Sequence, residues 1–242
     1  MWNNNKVSVV LPTYNEKDSI RDVVMSFFGS GYVDEVLVVN NNASDGTDEE
    51  VRKTPARLVY EKKQGYGYAI QRGLKEATGD IIIISEPDGT FEGRDTVKLL
   101  AYSDDFDVVF GTRTTGILIW SGANMGWFLR LGNIFVAKMI EFLFNTAVLT
   151  DVGCTMKLFK KNALKRIERQ FTVGGSCFSP ELMLLTIIHG VRFIEIPVNY
   201  KKRIGTPGIT GNKIIAFIIG MNMIALIIKY YVLAIFKKID RS

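Results

Sequence analysis

Apolar and polar positions change period repeatedly along the first half of the chain. Lys6–Leu11 (KVSVVL) reads as a buried strand stopped by Pro12, and Ser19–Phe28 as a helix ending near Gly29. Glu35–Val39 (EVLVV) is the next apolar run, followed by a turn-rich stretch, Asn40–Gly46, and a helix from about Thr47. Arg57–Tyr60 is strand-like, and Gly65 and Gly67 precede a helix running through Ala77. Ile81–Ile84 is an unbroken β-branched run, as found in strands covered on both faces. Asp95–Ser103 reads as helical and Val108–Phe110 as a short strand. Strands alternating with helices predict an α/β fold with a mostly parallel sheet and right-handed crossovers.

The second half has another texture. Trp127–Phe144 sets Arg130, Asn133 and Glu141 at helical spacing among large apolar residues, which predicts an amphipathic helix. Glu181, just after Pro180, fits a helix N-terminus, where the dipole favours a negative charge. Val191–Val198 is a late strand and Lys201–Lys213 a basic, Gly-containing loop. Ile214–Phe236 is almost wholly apolar, with only Asn222 and Lys229 strongly polar, on one shared face. A helix over that run would be roughly 34 Å long, enough to cross a hydrocarbon core. Basic residues flank it on both sides: Lys201, Lys202, Arg203 and Lys213 before it, Lys237, Lys238 and Arg241 after it. Balanced flanks favour a segment lying in one membrane face over a span, which shows a lopsided basic distribution.

Composition narrows the classes. With 47% hydrophobic and 23% charged residues in 242, a disordered or fibrous chain is excluded. The formal net charge of +5 suits an anionic ligand or an anionic membrane surface at least as well as nucleic acid, and no nucleic-acid partner is expected. Cys154 and Cys177 give no disulfide framework and no metal spacing, and the lone His189 excludes a histidine-rich metal site. Met1–Lys6 is short and polar, so no signal peptide is expected.

Ligands of an open parallel sheet bind at the carboxyl ends of its strands. Polar clusters fall at those ends: Pro12-Thr13-Tyr14-Asn15-Glu16, Asn40–Gly46, Glu86-Pro87-Asp88 and Gly111-Thr112-Arg113. Asp88, just past the isoleucine strand, is placed to hold a hard cation such as Mg²⁺ against a nucleotide diphosphate.

The segments VVLPTYNE (Val9–Glu16), VVNNNASDGT (Val38–Thr47), KKQGYGYA (Lys62–Ala69), SEPDGTF (Ser85–Phe91), FGTR (Phe110–Arg113), LTDVGCTMKLFKK (Leu149–Lys161) and EIPVNYKKRIG (Glu195–Gly205) follow one another in order. Together they resemble glycosyltransferase family 2, with a GT-A fold over about residues 6–213. Within it they resemble the polyprenyl-phosphate sugar synthases, typified by dolichyl-phosphate mannose synthase. The resemblance implies a nucleotide-diphospho-sugar donor (GDP- or UDP-linked), a polyprenyl phosphate acceptor, inversion, and Mg²⁺ or Mn²⁺ at Asp88 and Glu86. It puts Pro12, Tyr14, Glu16, Asn40, Asn41, Lys63, Arg203 and Lys213 on the donor, and Arg113 and Arg130 on the acceptor phosphate. It puts Asp151 near the acceptor, as a base or an orienting group.

Three departures stand out. Asn40-Asn41 stands where the family usually has Asp-Asp or Asp-Asn, Glu86 replaces the first Asp of Asp-x-Asp, and the Gly205–Lys213 connection is longer, with Asn212 in place of Ser. The expected organisation is a GT-A domain, 1–213, and a hydrophobic membrane-associated segment, 214–242. The expected location is the membrane, with the active site on the cytoplasmic face. Transfer to a growing glycan, or nucleotide-sugar binding without turnover, remain open alternatives.

Overall fold

The isoleucine run shows how the sequence sets the layers. Ile82 and Ile84 enter one buried cluster and Ile81 and Ile83 the other, because successive strand residues point to opposite faces. A computed structural model describes residues 1–123, 125–205 and 213–236. Among these residues seven strands form one sheet: β1 (Val7–Thr13), β2 (Glu35–Asn40), β3 (Arg57–Tyr60), β4 (Ile81–Ile84), β5 (Val108–Thr112), β6 (Lys157–Lys160) and β7 (Phe193–Pro197). Their order is β3-β2-β1-β4-β6-β5-β7. Neighbours pair in parallel except at β6, which runs antiparallel to both β4 and β5.

The helices cover both faces. On one lie α1 (Ile20–Phe28), α2 (Thr47–Val51) and α4 (Thr96–Tyr102). On the other lie α3 (Tyr66–Glu76), α5 (Trp127–Phe144), α6 (Lys161–Ile167), α7 (Phe178–Ile188) and α8 (Lys213–Ile235). α3 sits unusually close to the sheet at Gly73, where a Cβ would come within 2.2 Å of Val10 Cγ1, so only glycine allows that approach.

Most predicted elements appear within a residue or two of their expected limits, α5 at the same limits. β6 was not anticipated: it is four residues long and lysine closes it at each end.

The C-terminal helix, expected to follow the domain from residue 214, packs on it in part. Ile227 and Tyr230 of α8 are 0% and 3% exposed and belong to the same core cluster as α3, α5 and α7. Tyr231 meets Phe144 of α5 edge-on at 5.7 Å. Glu181, fully buried, is more than a helix-end charge. It accepts hydrogen bonds from the Thr172 hydroxyl (2.6 Å), the Val173 N–H (3.0 Å) and the Tyr230 hydroxyl (2.6 Å). The domain therefore continues through one stripe of α8. The rest of that helix is bare: Ile214, Phe217 and Ile235 are 57–69% exposed. By length and composition it is able to cross a membrane. The loop 206–212 and the flank of Lys237, Lys238 and Arg241 lie outside the described residues.

Candidate active site

Parallel pairing of β1 with β2 and β4 brings the ends of three strands together, with Thr13 opposite Asn40 and Val10 opposite Ile84. The loops leaving them line a cavity of about 920 Å³. Pro12, Tyr14, Glu16, Asn41, Glu86, Asp88, Arg113 and Arg203 all face it.

Asp88 is buried and held from one side. Its Oδ1 accepts from the Thr90 N–H (2.9 Å) and hydroxyl (2.6 Å), while Oδ2 faces Arg203 Nε at 3.3 Å. Glu86 accepts from the Tyr66 hydroxyl at 2.8 Å. Burial, together with the Asp88 charge, pushes its carboxyl up to about 7. Glu16 also sits above its ordinary value, chiefly through burial, with the Arg203 guanidinium at 2.8 Å working against the shift. These acids thus crowd one wall and Arg203 crosses it.

The two asparagines do internal work. Asn41 donates to the carbonyls of Glu61 and Lys63 (2.9 Å each) and accepts from the Gly65 N–H (2.8 Å) and Gln64 Nε2 (3.2 Å). An aspartate could not donate those two bonds, so this position calls for the amide. Asn40 bonds Asp48 at 2.5 Å and the Ala43 N–H at 2.7 Å, and lies behind the cavity wall. Lys63 is exposed and does not line the cavity, its ammonium 3.8 Å from the Tyr68 ring centroid. Lys213 opens α8, and its side chain lies outside the described residues.

On the other side, Arg113 is clasped by Asp151 through Nε–Oδ2 and Nη2–Oδ1, both 2.9 Å, and its own N–H donates to Oδ2 at 2.8 Å. Burial alone would raise the Asp151 carboxyl, but the Arg113 guanidinium holds it below the ordinary carboxylate value. Asp151 is fully buried behind Arg113 and does not reach the cavity, so a direct role as base does not fit its placement. Arg130 also stands outside the cavity wall as the described residues form it, beside Gly116. Asn133, one turn on, lines the wall and accepts from the Gly153 N–H at 3.0 Å.

Sequence reasoning left several residues without roles: Tyr66, which steadies Glu86; Thr90, which orients Asp88; and Glu195, which accepts from the Thr150 N–H (2.7 Å) and hydroxyl (2.6 Å) behind Asp151. All three lie inside or beside recognised motifs, and that proximity is the signal that would have found them.

Beyond Arg113 the same cavity turns apolar. Trp127, Phe128, Leu131 and Phe135 of α5 face Phe217, Ile219, Met223 and Ile224 of α8 across it.

The family model described as glycosyl transferase family 2 matches residues 8–168. A dolichyl-phosphate hexose transferase from Haloferax volcanii is 30% identical over 203 residues, spanning 82% of this chain and 84% of that one. An uncharacterized glycosyltransferase of Mycobacterium tuberculosis is 30% identical over 200 residues, 82% of this chain and 87% of that one. Among solved structures, glucosyl-3-phosphoglycerate synthase from Mycobacterium tuberculosis, in complex with Mn²⁺, UDP and phosphoglyceric acid, superposes with a TM-score of 0.73 at 16% identity. The match covers 94% of this chain and 79% of that one. At that identity the likeness speaks for the fold, the GT-A architecture with its mostly parallel sheet between helices. Motif order, strand-end site and relatives agree: the chain belongs to glycosyltransferase family 2 and is a glycosyltransferase.

Proposed function

We propose that the enzyme transfers a hexose from a nucleotide-diphospho-sugar, GDP- or UDP-linked, to a polyprenyl phosphate at a membrane. The observation that carries this reading is the continuity of the cavity. An acid- and arginine-lined donor end runs past Arg113 into an apolar groove between α5 and α8, two helices with bare apolar faces. A phosphate on an isoprenoid chain matches both ends of that groove, since an apolar wall is of no use to a free sugar phosphate. The Haloferax relative, a dolichyl-phosphate hexose transferase, points the same way.

The donor set suits a divalent metal. Glu86 and Asp88 offer hard carboxylate oxygens, and among the described residues no group of three or more potential ligand side chains converges. Diphosphate oxygens and water would complete the shell, the usual habit of Mg²⁺ and Mn²⁺ sites of this kind. Bound there, the ion supplies Lewis-acid stabilisation of the departing diphosphate.

The chain's own residues do the rest. Arg203 lines the same cavity, and its guanidinium fork suits a diphosphate. Arg113, held by Asp151, turns its remaining N–H groups to the acceptor phosphate. That phosphate is already ionised near neutral pH, so its oxygen attacks the anomeric carbon without a base as the bond to the diphosphate breaks, in one inverting displacement. Asp151 then works through Arg113. Tyr14, Pro12 and Asn41 frame the nucleoside end. In this reading the exposed stripe of α8 rests in the membrane and the site opens on the cytoplasmic face.

The test is mass spectrometry of products from the full chain, offered UDP- and GDP-hexoses together with polyprenyl phosphate, 3-phosphoglycerate and oligosaccharides. A hexosylated phospholipid is expected. Transfer to a soluble acceptor alone overturns the lipid reading.

A further inference from the structure

The segment after β7 is buckled onto the acid motif. The Lys201 N–H donates to the Thr90 carbonyl at 2.8 Å and the Ile204 N–H to the Asp88 carbonyl at 2.9 Å. Between these fastenings Arg203 reaches into the cavity. Its Nη2 donates to Glu16 Oε1 at 2.8 Å, and its Nε sits 3.3 Å from Asp88 Oδ2. That Nε–H is buried without an aligned acceptor, so the contact with Asp88 is one of charge. Because Thr90 occupies Asp88 Oδ1 twice over, Oδ2 is the oxygen open to a cation, and Arg203 stands at it.

We propose that Arg203 is the resident counter-cation of the acid motif, and that a divalent metal and the nucleotide diphosphate displace it together. The inference rests on the donor reading above. A metal and a guanidinium cannot share Asp88 Oδ2, since two cations at that separation repel. Metal alone must therefore expel Arg203 with nothing to receive it. A diphosphate arriving with the metal supplies the anion to which the released guanidinium turns. Glu16 gains a role distinct from contact with the nucleoside: it parks Arg203 while the site waits. The consequence is that metal and nucleotide each bind poorly alone and well together, a reciprocal coupling.

The experiment is a Mn²⁺ titration of the full chain, following free Mn²⁺ by electron paramagnetic resonance, without nucleotide and then with UDP or GDP. Arg203→Gln should tighten nucleotide-free Mn²⁺ binding by about tenfold or more, as expected for removal of a unit charge beside a half-buried site. It should also shrink the factor by which nucleotide improves Mn²⁺ binding. Lys201→Gln removes an equal charge from the same segment, but Lys201 pairs with Glu92, so its effect should stay under about twofold. Unchanged or weaker nucleotide-free binding in Arg203→Gln overturns the proposal, as does an equal gain in Lys201→Gln. Arg203 is 28% exposed on a loop, and thermal melting checks that the variant is folded. A second readout uses the unaltered protein: the Arg203 Nε–H resonance should shift when Mg²⁺ is added with UDP or GDP, and a resonance that stays in place overturns the exchange. If no form of the protein takes up Mn²⁺, with or without nucleotide, the metal-assisted donor reading falls as well. Equal uptake by wild type and Arg203→Gln removes the exchange alone.

Discussion

The two walls of the cavity are built by different means. On the proposed donor side each side chain follows a strand whose register is fixed by backbone pairing: Glu16 after β1, Asn41 after β2, Asp88 after β4. On the proposed acceptor side α5 and α8 face one another across the groove, with α8 held by the Phe144–Tyr231 ring contact and the Tyr230–Glu181 hydrogen bond. Backbone ladders hold atoms to the fraction of an ångström that bond making needs. Helix packing holds a shape, and a shape is enough for a flexible apolar chain. On the proposed reading, chemistry sits on the rigid wall and accommodation on the adaptable one.

The largest effect expected is on the rigid wall. Asp88→Asn should lower turnover by about a thousandfold or more, the loss of several kcal/mol of leaving-group stabilisation. Asn keeps an oxygen for Thr90, so the melting temperature should move little. Near-normal initial rates at saturating donor would show that the chemistry lies elsewhere.

Asp151→Asn breaks a buried pair at the seam between the walls and leaves the Arg113 guanidinium without its counter-charge. Denaturant unfolding should show a loss of about 3–5 kcal/mol. The pH dependence sharpens this. A carboxyl held below its ordinary value of 3.8 gives its full stability above that pH and loses it as the pH falls through the lower folded value. The difference between wild type and variant should therefore be constant above about pH 5 and shrink in stronger acid. A difference that grows in acid contradicts the pair.

Tyr230→Phe removes only the hydroxyl that ties α8 to Glu181. Three nearby donors remain on that carboxylate, the Thr172 N–H and hydroxyl and the Val173 N–H, so the loss should fall in the range of about 1.5–3 kcal/mol, nearer the low end. Urea midpoints unchanged by the substitution would mean that apolar packing alone seats the helix. The smallest effect separates the walls most cleanly. Phe135 and Phe217 line the groove yet are 64% and 60% exposed. Changing both to serine should cost about tenfold in kcat/KM for a long-chain lipid acceptor, or 1.4 kcal/mol, with donor KM and melting temperature unmoved. An equal rise in donor KM would merge the two walls into one.

The same division explains what could be read in advance. Donor-side residues are local: Pro12 to Glu16 and Glu86 to Asp88 are short polar stretches closing apolar runs, and the runs announce the strands. The acceptor side is assembled from α5 and α8, far apart in the chain, so no window of sequence contains it. The apolar run of α8 looked like a separate appendage because periodicity cannot distinguish a half-docked helix from a membrane-resting one; Ile227 and Tyr230 decide it only in three dimensions. Asn41 looked like a lost charge until its two carbonyl acceptors came into view. Asp151 was recognised by motif, while its burial behind Arg113 was invisible to spacing.

The reversal at β6 reaches beyond the present chemistry. Because that strand runs against β4 and β5, the chain leaves the sheet after β5 and re-enters at β6 from the same end, with Phe110 paired to Lys157. Everything between, α5 included, is an excursion whose two feet stand side by side and are riveted by Arg113 and Asp151 and by the Thr112–Thr150 contact at 2.8 Å. Apart from the parallel bridge between Ile119 and Tyr200, such a segment pairs with none of the parallel strands, so its length can change without breaking their ladders. Under the proposed reading that excursion carries the acceptor groove while the parallel strands carry the donor end, and grafting the excursion of one relative onto another is a natural route to new acceptor choice.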